Sequence, residues 1–339
     1  MISEQRGKTA LERINGVLIQ YPRFGHLLEA MSESLAMSLV TDEPQCVALE
    51  GDTGTGKSTL LRTHVRRYPR RETLEASVIP VLYMLTPSPA TVGSVLDAML
   101  DGLADPGAAR GTISAKNSRL VKLVAVCQVQ QIILDDFHNL IDSETDHVLA
   151  TVSDWLKYII KKTGKPVVVV GIKGKVQTIL RSNSELSRLF ARREVLEGFV
   201  WNLDEPRTTD AFGRFWSMLE TAAEMPLVPS LPRLEFLARV HYATNGIVGN
   251  MMNLTRTTVN RAEKQGSKIL SLEHFSTAFQ ERLEEHLVGK VNPFLVDPNK
   301  MFEPPSKPIP CVDPAESTGK RSKARKERKP SLREVLKRK

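Results

Sequence analysis

The feature that most constrains this 339-residue chain is a glycine-rich loop that follows the apolar run Cys46-Val47-Ala48-Leu49 and precedes a segment of helical character. The loop fits the pattern G-x-x-x-x-G-K-[S/T]. Its glycines let the backbone approach a phosphate with no Cβ in the way. The N–H groups of such a loop, with the positive end of the following helix, form an anion-binding nest. The pattern predicts a nucleotide-binding protein whose ligating residues are Gly51, Asp52, Thr53, Gly54, Thr55, Gly56, Lys57, Ser58 and Thr59.

An acidic pair, Asp135 and Asp136, ends the buried-strand pattern Gln131-Ile132-Ile133-Leu134. A carboxylate at the end of a buried strand holds Mg²⁺ in enzymes with this loop, so we expect ATP and Mg²⁺, with Ser58 and Asp135 as metal ligands. Lys57 is expected to reach the β/γ-phosphates. The second acid polarises the attacking water and is commonly Glu. Asp136 is one methylene shorter than Glu, so its carboxylate would lie about 1 Å or more further from that water. This longer distance predicts a slow ATPase.

Strand patterns alternate with helical patterns through the first two thirds of the chain, which predicts an α/β fold with a parallel sheet covered on both faces. The five predicted strands lie near 45–50, 78–85, 131–136, 166–171 and 195–200. Past residue 204 four helical patterns follow and predict a small all-α lid. The predicted domains are an N-terminal helical extension (1–40), an α/β core (41–204), the lid (205–290), a Pro-rich linker (291–319) and a disordered basic tail (320–339).

Composition limits the class of protein further. The tail from 320 to 339 has eleven basic and two acidic residues, a charge of +9, so the rest of this +8 chain carries −1. The basic pI therefore belongs to the tail and does not make the body a nucleic-acid binder. Three cysteines without a C-x-x-C motif suit a reducing cytoplasm, and no apolar run is long enough to cross a bilayer. We expect a cytoplasmic protein with no membrane partner.

Two weaker signals concern the γ-phosphate. Lys173, after the fourth predicted strand, is the sequence candidate for a side chain that senses this phosphate, unless the position has no such role. Before the fifth predicted strand an arginine could reach the nucleotide of a neighbouring subunit as an arginine finger. Three arginines compete for that catalytic role: Arg188, Arg192 and Arg193.

The order of these parts resembles the AAA+ class and, more specifically, the TniB/TnsC family of bacterial transposition-regulator ATPases, over about residues 15–290. The matching stretches are Tyr21-Pro22-Arg23, Leu49 to Ser58, Ile132-Ile133-Leu134-Asp135-Asp136-Phe137-His138-Asn139-Leu140, Val168-Val169-Val170-Gly171, Leu186 to Arg193, and Asn245-Gly246-Ile247-Val248-Gly249. Three departures stand out: Asp136 for the usual Glu, Ile172-Lys173 for a small polar sensor, and Asn250 where many AAA+ lids carry a sensor arginine.

The resemblance implies an ATP-dependent ring or filament on duplex DNA, placed between a target-selector protein of the TniQ/TnsD type and the transposase, in the nucleoid-associated cytoplasm of a bacterium. It also implies that DNA is held by loops facing the axis of the assembly. The residues available on such loops are Arg110, Thr112, Lys116, Lys173 and Lys175. The basic tail either attracts DNA non-specifically or docks on the transposase, and its interspersed Leu332, Val335 and Leu336 favour docking slightly.

Two alternative functions stay open at this point. One is a scaffold that binds ATP without meaningful turnover. The other is an ATPase of the replication-initiator or helicase-loader type. Such proteins often append a DNA-reading domain, and we expect none between Asn292 and Lys339 because that stretch is rich in proline and basic residues.

Overall fold

The computed structural model describes residues 9–73, 77–141, 145–226, 231–285, 287 and 290–297. Every described residue belongs to one compact unit, Met1–Met301. The basic tail and most of the predicted linker lie outside the described residues. Within the described chain, no helix is both long and apolar enough to cross a bilayer.

Five strands form one parallel sheet, as predicted, and two short strands form a separate antiparallel pair. In chain order the strands are β1 (Val47–Glu50), β2 (Arg71–Glu72), β3 (Ser77–Val78), β4 (Val81–Leu85), β5 (Gln131–Asp135), β6 (Val167–Gly171) and β7 (Arg192–Val195). The order across the large sheet is β4-β5-β6-β1-β7. The central strands β1, β5 and β6 are buried along their whole length, as expected of parallel strands covered on both faces.

Helices cover the sheet and then form the lid. In chain order they are α1 (Ala10–Gly16), α2 (Pro22–Ser38), α3 (Lys57–Arg66), α4 (Val92–Gly102), α5 (Ile113–Val126), α6 (Asp146–Thr163), α7 (Lys175–Ser182), α8 (Ser184–Leu189), α9 (Pro206–Ala223), α10 (Arg233–Thr244), α11 (Val248–Lys264) and α12 (Leu272–Arg282). A short 3₁₀ helix, Phe137–Ile141, follows β5. The four helices predicted for the lid correspond to α9–α12.

The fifth strand was predicted in the wrong place: the structure has it at Arg192–Val195, not at 195–200. It is an edge strand, and edge strands tolerate charged residues. Arg192 pairs with Glu33 and, within the strand, with Glu194. Because charged residues make up most of this strand, it has no apolar run that a sequence pattern could detect. The second predicted strand also begins later, because Pro80 separates Ser77–Val78 from β4.

The first two helices pack against different parts of the molecule. On α2, Leu27, Leu28 and Met31 are buried in a cluster with residues of β1 and α3, as the apolar stripe of this helix predicts. In contrast, Ile14 of α1 is buried in the hydrophobic cluster of the lid, and the backbone N–H of Ala10 donates to Glu263 at 2.6 Å. The predicted N-terminal extension therefore belongs partly to the core and partly to the lid.

The lid has an aromatic core that extends beyond the predicted end of the lid at 290. Trp216, Phe236 and Phe275 lie with ring centroids 5.3–5.9 Å apart. Phe294 is only 6% exposed and stacks on Phe275 at 5.4 Å. Arg239, itself buried, donates hydrogen bonds to the carbonyls of Pro293 and Val296. Residues 290–297 are therefore a packed part of the lid and not a loose linker.

Candidate nucleotide-binding site

The loop Gly51–Ser58, called here the P-loop, connects the carboxyl end of β1 to α3. Gly54 and Gly56 have φ of +82° and +103°, a region that side chains other than glycine rarely adopt. A Cβ at Gly51 would lie 2.4 Å from the carbonyl oxygen of Leu196. The loop therefore needs glycine for its backbone conformation at two positions and for close packing at a third.

Lys57 is buried at the first turn of α3. Its ammonium donates to the carbonyl oxygens of Gly51 at 2.7 Å and Asp52 at 2.9 Å. Burial lowers the pKa of Lys57, and the negative charges of Asp136 and Asp135 act in the opposite direction. The ammonium is thus held over the P-loop and near the two acids.

Asp135 is fully buried at the end of β5. Its carboxylate accepts hydrogen bonds from the Tyr83 hydroxyl and from the backbone N–H of Asp136, both at 3.0 Å. Burial raises the pKa of Asp135, the hydrogen bonds from Tyr83 and Ser58 lower it, and the charge of Asp136 raises it further. No sequence signal singled out Tyr83 as a partner of Asp135, because its place in a strand pattern is explained by packing alone.

The oxygen atoms of Ser58 and Asp135 suit a hard cation that is also coordinated by phosphate and water. Among the described residues no group of three His, Cys, Asp or Glu side chains could hold a metal alone. Mg²⁺ is usually bound by one or two carboxylates together with substrate phosphates and water. A carboxylate and a hydroxyl next to a P-loop fit that requirement, and no structural metal cage is formed in this part of the chain.

Asp136 has φ of +50°, in the left-handed region that aspartate tolerates better than most residues. Its carbonyl accepts from the N–H of Asn139 at 3.0 Å, which starts the 3₁₀ helix. The side chain lines the same cavity as Lys57 and Ser58. The structure therefore brings the predicted lysine, hydroxyl and second acid to one place.

That cavity has a volume of about 500 Å³ and lies between the core and the lid. The lid contributes Val248, Gly249, Met252 and Arg256, and the N–H of Gly249 donates to the carbonyl of Gly54 at 2.7 Å. The core contributes Thr53, Gly54, Gly56, Lys57, Ser58, Thr59, Asp136, His138 and Ile172.

Arg256 is a cavity residue that the sequence analysis missed. Its Nε is buried and has no hydrogen-bond partner in the described chain. Asn250, which the resemblance placed at the sensor-arginine position, donates instead to the carbonyl of Thr244 at 3.1 Å, within the lid. A signal was present, because Val248, Met252 and Arg256 recur every four residues and so share one helical face.

A second, smaller cavity of about 180 Å³ adjoins the first, since both are lined by Gly56, Thr59, Val248, Met252 and Arg256. Its other walls come from the segment before α2 and from the lid. Most of these side chains are apolar: Val17, Leu18, Ile19, Tyr21, Phe24 and Phe215, with Asn15 and Thr55 at the polar positions. An apolar slot beside an anion nest is the arrangement that a nucleotide, with its flat base and its phosphates, requires.

The three candidate arginine fingers lie away from the P-loop of their own chain. In the sheet register Arg192 is opposite Val47 and Arg193 is opposite Ala48, so both lie at the start of β1 while the P-loop follows its end. Two to three residues of strand separate these positions by about 7–10 Å. Arg188 is exposed on α8 and makes two hydrogen bonds to Glu43, at 2.7 and 2.6 Å. None of the three lines the phosphate cavity of its own chain, and the role of an arginine finger for a neighbouring subunit stays a prediction.

Four of the five predicted DNA-facing residues lie at two loops, and the fifth, Lys116, is buried in a helix. Arg110 is exposed in the loop before α5, and Thr112 caps that helix by accepting from the N–H of Ala115 at 3.3 Å. Lys173 and Lys175 lie at the turn from β6 into α7, where Lys173 pairs with Glu197 at 2.6 Å. Lys116 differs from the expectation, because it is 8% exposed and its ammonium pairs with Asp97.

Comparisons with known proteins agree with this architecture. The family model described as "Bacterial TniB protein" matches residues 12–198, which is just over half of the chain. No relative was found among curated protein sequences.

Solved structures with the same fold include three archaeal proteins. The ORC2 protein of Aeropyrum pernix, in ADPNP–ADP complexes, is 13% identical with a TM-score of 0.57, over 82% of this chain and 74% of that one. Cdc6p from Pyrobaculum aerophilum is 18% identical with a TM-score of 0.56, over 81% and 72%. The ORC1 protein of Aeropyrum pernix, solved in complex with DNA, is 20% identical with a TM-score of 0.55, over 80% and 68%. These likenesses confirm the predicted AAA+ fold.

Proposed function

The chain belongs to the TniB family, and from this premise we propose that it is an ATP-dependent regulator of DNA transposition. It binds ATP and Mg²⁺, oligomerises on duplex DNA, and links a target-selector protein of the TniQ/TnsD type to the transposase. The observation that carries the proposal is the cavity in which the P-loop, Asp136 and the lid meet.

The two adjoining cavities suggest how the nucleotide is divided between them. The phosphates lie against the P-loop in the larger cavity, where Lys57 exchanges its bonds to the carbonyls of Gly51 and Asp52 for phosphate oxygens. The adenine occupies the apolar slot between Val17, Phe24 and the lid. Support for a bound nucleotide also comes from the ORC2 structure, which holds ADPNP and ADP.

Ser58 and Asp135 would hold Mg²⁺ beside the phosphates. Bound by these two residues, Mg²⁺ would neutralise negative charge on the phosphates. Asp135 is buried next to the Tyr83 hydroxyl, and burial disfavours its negative charge. A bound cation would compensate that charge. Arg256 adds a positive charge from the lid. Attraction between this charge and the phosphates would couple closing of the lid to nucleotide binding.

Hydrolysis is slow in this proposal because the second acid is short. Asp136 orients the attacking water with a side chain one methylene shorter than that of glutamate, so the water lies about 1 Å or more further from the carboxylate. A slow ATPase suits an assembly that must persist until the transposase arrives. Turnover of tens of ATP per second, near typical enzyme values, would contradict this part of the proposal. Absence of any phosphate release, with DNA present, would instead favour the ATP-binding scaffold.

ATP-dependent assembly on DNA tests the central proposal. The protein is mixed with linear duplex DNA and a non-hydrolysable ATP analogue, and oligomers are counted by electron microscopy. Lys57→Ala is expected to abolish assembly, because the phosphate-binding ammonium is lost. Lys264→Ala, at the exposed end of α11, is the matched control and should assemble like the parent protein. Equal assembly by the Lys57 variant and the parent would overturn the mechanism.

DNA is held by exposed basic loops in this proposal, with Arg110, Lys173 and Lys175 as the phosphate contacts. Such contacts are independent of sequence and sensitive to salt. Arg110→Ala should reduce the slope of log K against log salt by about one. Lys116→Met should leave the slope unchanged, because this lysine is buried on Asp97. An unchanged slope for Arg110→Ala with a reduced slope for Lys116→Met would show that DNA binds to another part of the chain.

The link to the transposase is tested with assembled protein. Oligomers formed on DNA with the ATP analogue should retain the transposase, and Lys57→Ala should lose it together with assembly. Removal of 320–339 separates the two interpretations of the tail. Loss of the transposase with unchanged DNA binding indicates docking, and loss of DNA affinity at low salt indicates non-specific attraction.

A further inference from the structure

The carboxyl end of β6 lies beside the P-loop but presents no polar side chain there. Gly171, its last residue, is paired with Glu50, and its carbonyl accepts from the N–H of Gly51 at 3.2 Å. A Cβ at Gly171 would lie 2.7 Å from Cγ2 of Val176, so no side chain fits without rearrangement. The next residue, Ile172, lines the phosphate cavity with an apolar side chain.

Lys173, the sequence candidate for sensing the γ-phosphate, is engaged elsewhere. Its ammonium lies 2.6 Å from a carboxylate oxygen of Glu197, and about half of the side chain is exposed. Lys173 is not among the residues that line the phosphate cavity. The end of β6 therefore supplies no donor to a phosphate in this cavity.

His138 packs against Gly171. It is the second residue of the 3₁₀ helix that follows the acidic pair, and it lines the cavity together with Lys57, Ser58 and Asp136. Its Nδ1 is 3.4 Å from the position that a Cβ at Gly171 would take. This Nδ1 is buried and has no hydrogen-bond partner among the described residues.

Two other polar side chains near this point are already committed. The side-chain amide of Asn139 donates to the carbonyl of Thr86 at 3.2 Å, and the Tyr83 hydroxyl donates to Asp135. A buried ring nitrogen without a partner carries a free-energy cost that a ligand can remove. A half-buried imidazole that lines a cavity beside a P-loop and has an unpartnered ring nitrogen points to a contact with the bound nucleotide.

We propose that His138 senses the γ-phosphate, in place of the polar residue that β6 lacks. The imidazole donates an N–H hydrogen bond to a γ-phosphate oxygen, and this contact makes the protein prefer ATP to ADP. The inference rests on the proposed ATP-binding function. Because His138 and Asp136 belong to one turn, the contact also fixes the turn that positions the attacking water.

The experiment compares affinities for ADP and for a non-hydrolysable ATP analogue, each with Mg²⁺, by isothermal titration calorimetry without DNA. His138→Leu should weaken binding of the analogue about tenfold, or 1.4 kcal/mol, and change ADP binding by less than about twofold. His138→Asn keeps an N–H donor and should recover most of the analogue affinity. His26→Leu, the same change at an exposed histidine of α2, should alter neither affinity.

Three outcomes would overturn the inference. In His138→Leu, unchanged affinities for both nucleotides exclude a γ-phosphate contact, and an equal loss for both nucleotides indicates a structural role. A selective loss of analogue affinity in Lys173→Leu, with none in His138→Leu, returns the sensor to β6. If His138→Leu does not fold, as judged by circular dichroism, His138→Ala carries the same expectation. Failure of the parent protein to bind either nucleotide refutes the proposed function itself, which is a different result.

Discussion

The core wall and the lid wall of the nucleotide cavity are built in different ways. On the core wall, Lys57 and Asp136 each follow a buried strand of the parallel sheet within a few residues, and the buried Asp135 ends one of these strands. On the lid wall, Val248, Met252 and Arg256 lie along one face of α11. Their position relative to the phosphates depends on how the whole lid packs.

Hydrogen bonds between backbone groups join the two walls. The N–H of Gly249 donates to the carbonyl of Gly54 at 2.7 Å, and the N–H of Phe199 donates to that of Gly246 at 2.8 Å. A Cβ at Gly246 would lie 2.1 Å from the carbonyl oxygen of Phe199, and one at Gly249 would lie 3.0 Å from that of Gly54, so the packing of the lid on the core depends on glycine. The comparison teaches that the core wall depends on local sequence, whereas the lid wall depends on packing between distant segments.

The largest expected effect tests whether residues 290–297 belong to the lid. Phe294→Ala should lower the free energy of unfolding by about 3 kcal/mol, because a buried aromatic ring is removed from the lid core. Chemical denaturation measures the change. Leu295→Ala is the control, since this neighbour is 66% exposed and should change stability by less than about 0.5 kcal/mol. Equal, small effects of both variants would show that the segment is a linker.

The next effect concerns the glycine contact between lid and core. Gly246→Ala should lower the free energy of unfolding by about 2–3 kcal/mol, because its Cβ would lie 2.1 Å from the Phe199 carbonyl oxygen. Gly266 has nearly the same φ, +67° against +66°, and nothing within 4 Å of an added Cβ. Gly266→Ala should therefore cost only the backbone strain, about 1 kcal/mol. Similar losses for the two variants would mean that lid and core are not held together at this point.

A smaller effect is expected for the charge on the lid wall. Arg256→Ala should weaken ATP binding about tenfold, or 1.4 kcal/mol, since a positive charge is removed from the phosphate cavity. Arg261→Ala, on the same helix but paired with Glu281, is the matched control and should bind ATP normally. Calorimetry with Mg²⁺ and ATP measures both affinities. An unaffected Arg256 variant would restrict phosphate binding to the core wall.

The smallest effect on stability is expected at Arg188, which a neighbouring subunit would use. Arg188→Ala breaks only an exposed ion pair with Glu43, so the midpoint of chemical denaturation should not move measurably. If Arg188 is the finger, DNA-stimulated phosphate release should fall while binding of ATP to single subunits is unchanged. Arg192→Ala and Arg193→Ala are compared in the same assay, and the variant with the selective loss identifies the finger.

Sequence patterns predicted the core wall well, because each of its residues is tied to a local feature. A P-loop must follow a strand, and an acid at the end of a buried strand must lie at the same edge of a parallel sheet. The prediction failed for β7, whose Arg192 and Glu194 make an edge strand look like a polar loop. It also failed to show that Lys116 is buried, because Asp97, its partner, lies on another helix.

By itself, the sequence determined the AAA+ fold, the P-loop and its acidic pair, and the four helices of the lid. Strand and helix periodicity, with the φ requirements of glycine, act over a few neighbouring residues and leave a readable pattern. Only the tertiary structure decided that Ile14 and Phe294 complete the lid core, that Arg256 lines the cavity, and that His138 packs against Gly171. Each of these depends on a contact between segments far apart in the chain, and such contacts are fixed by packing, which no local pattern encodes.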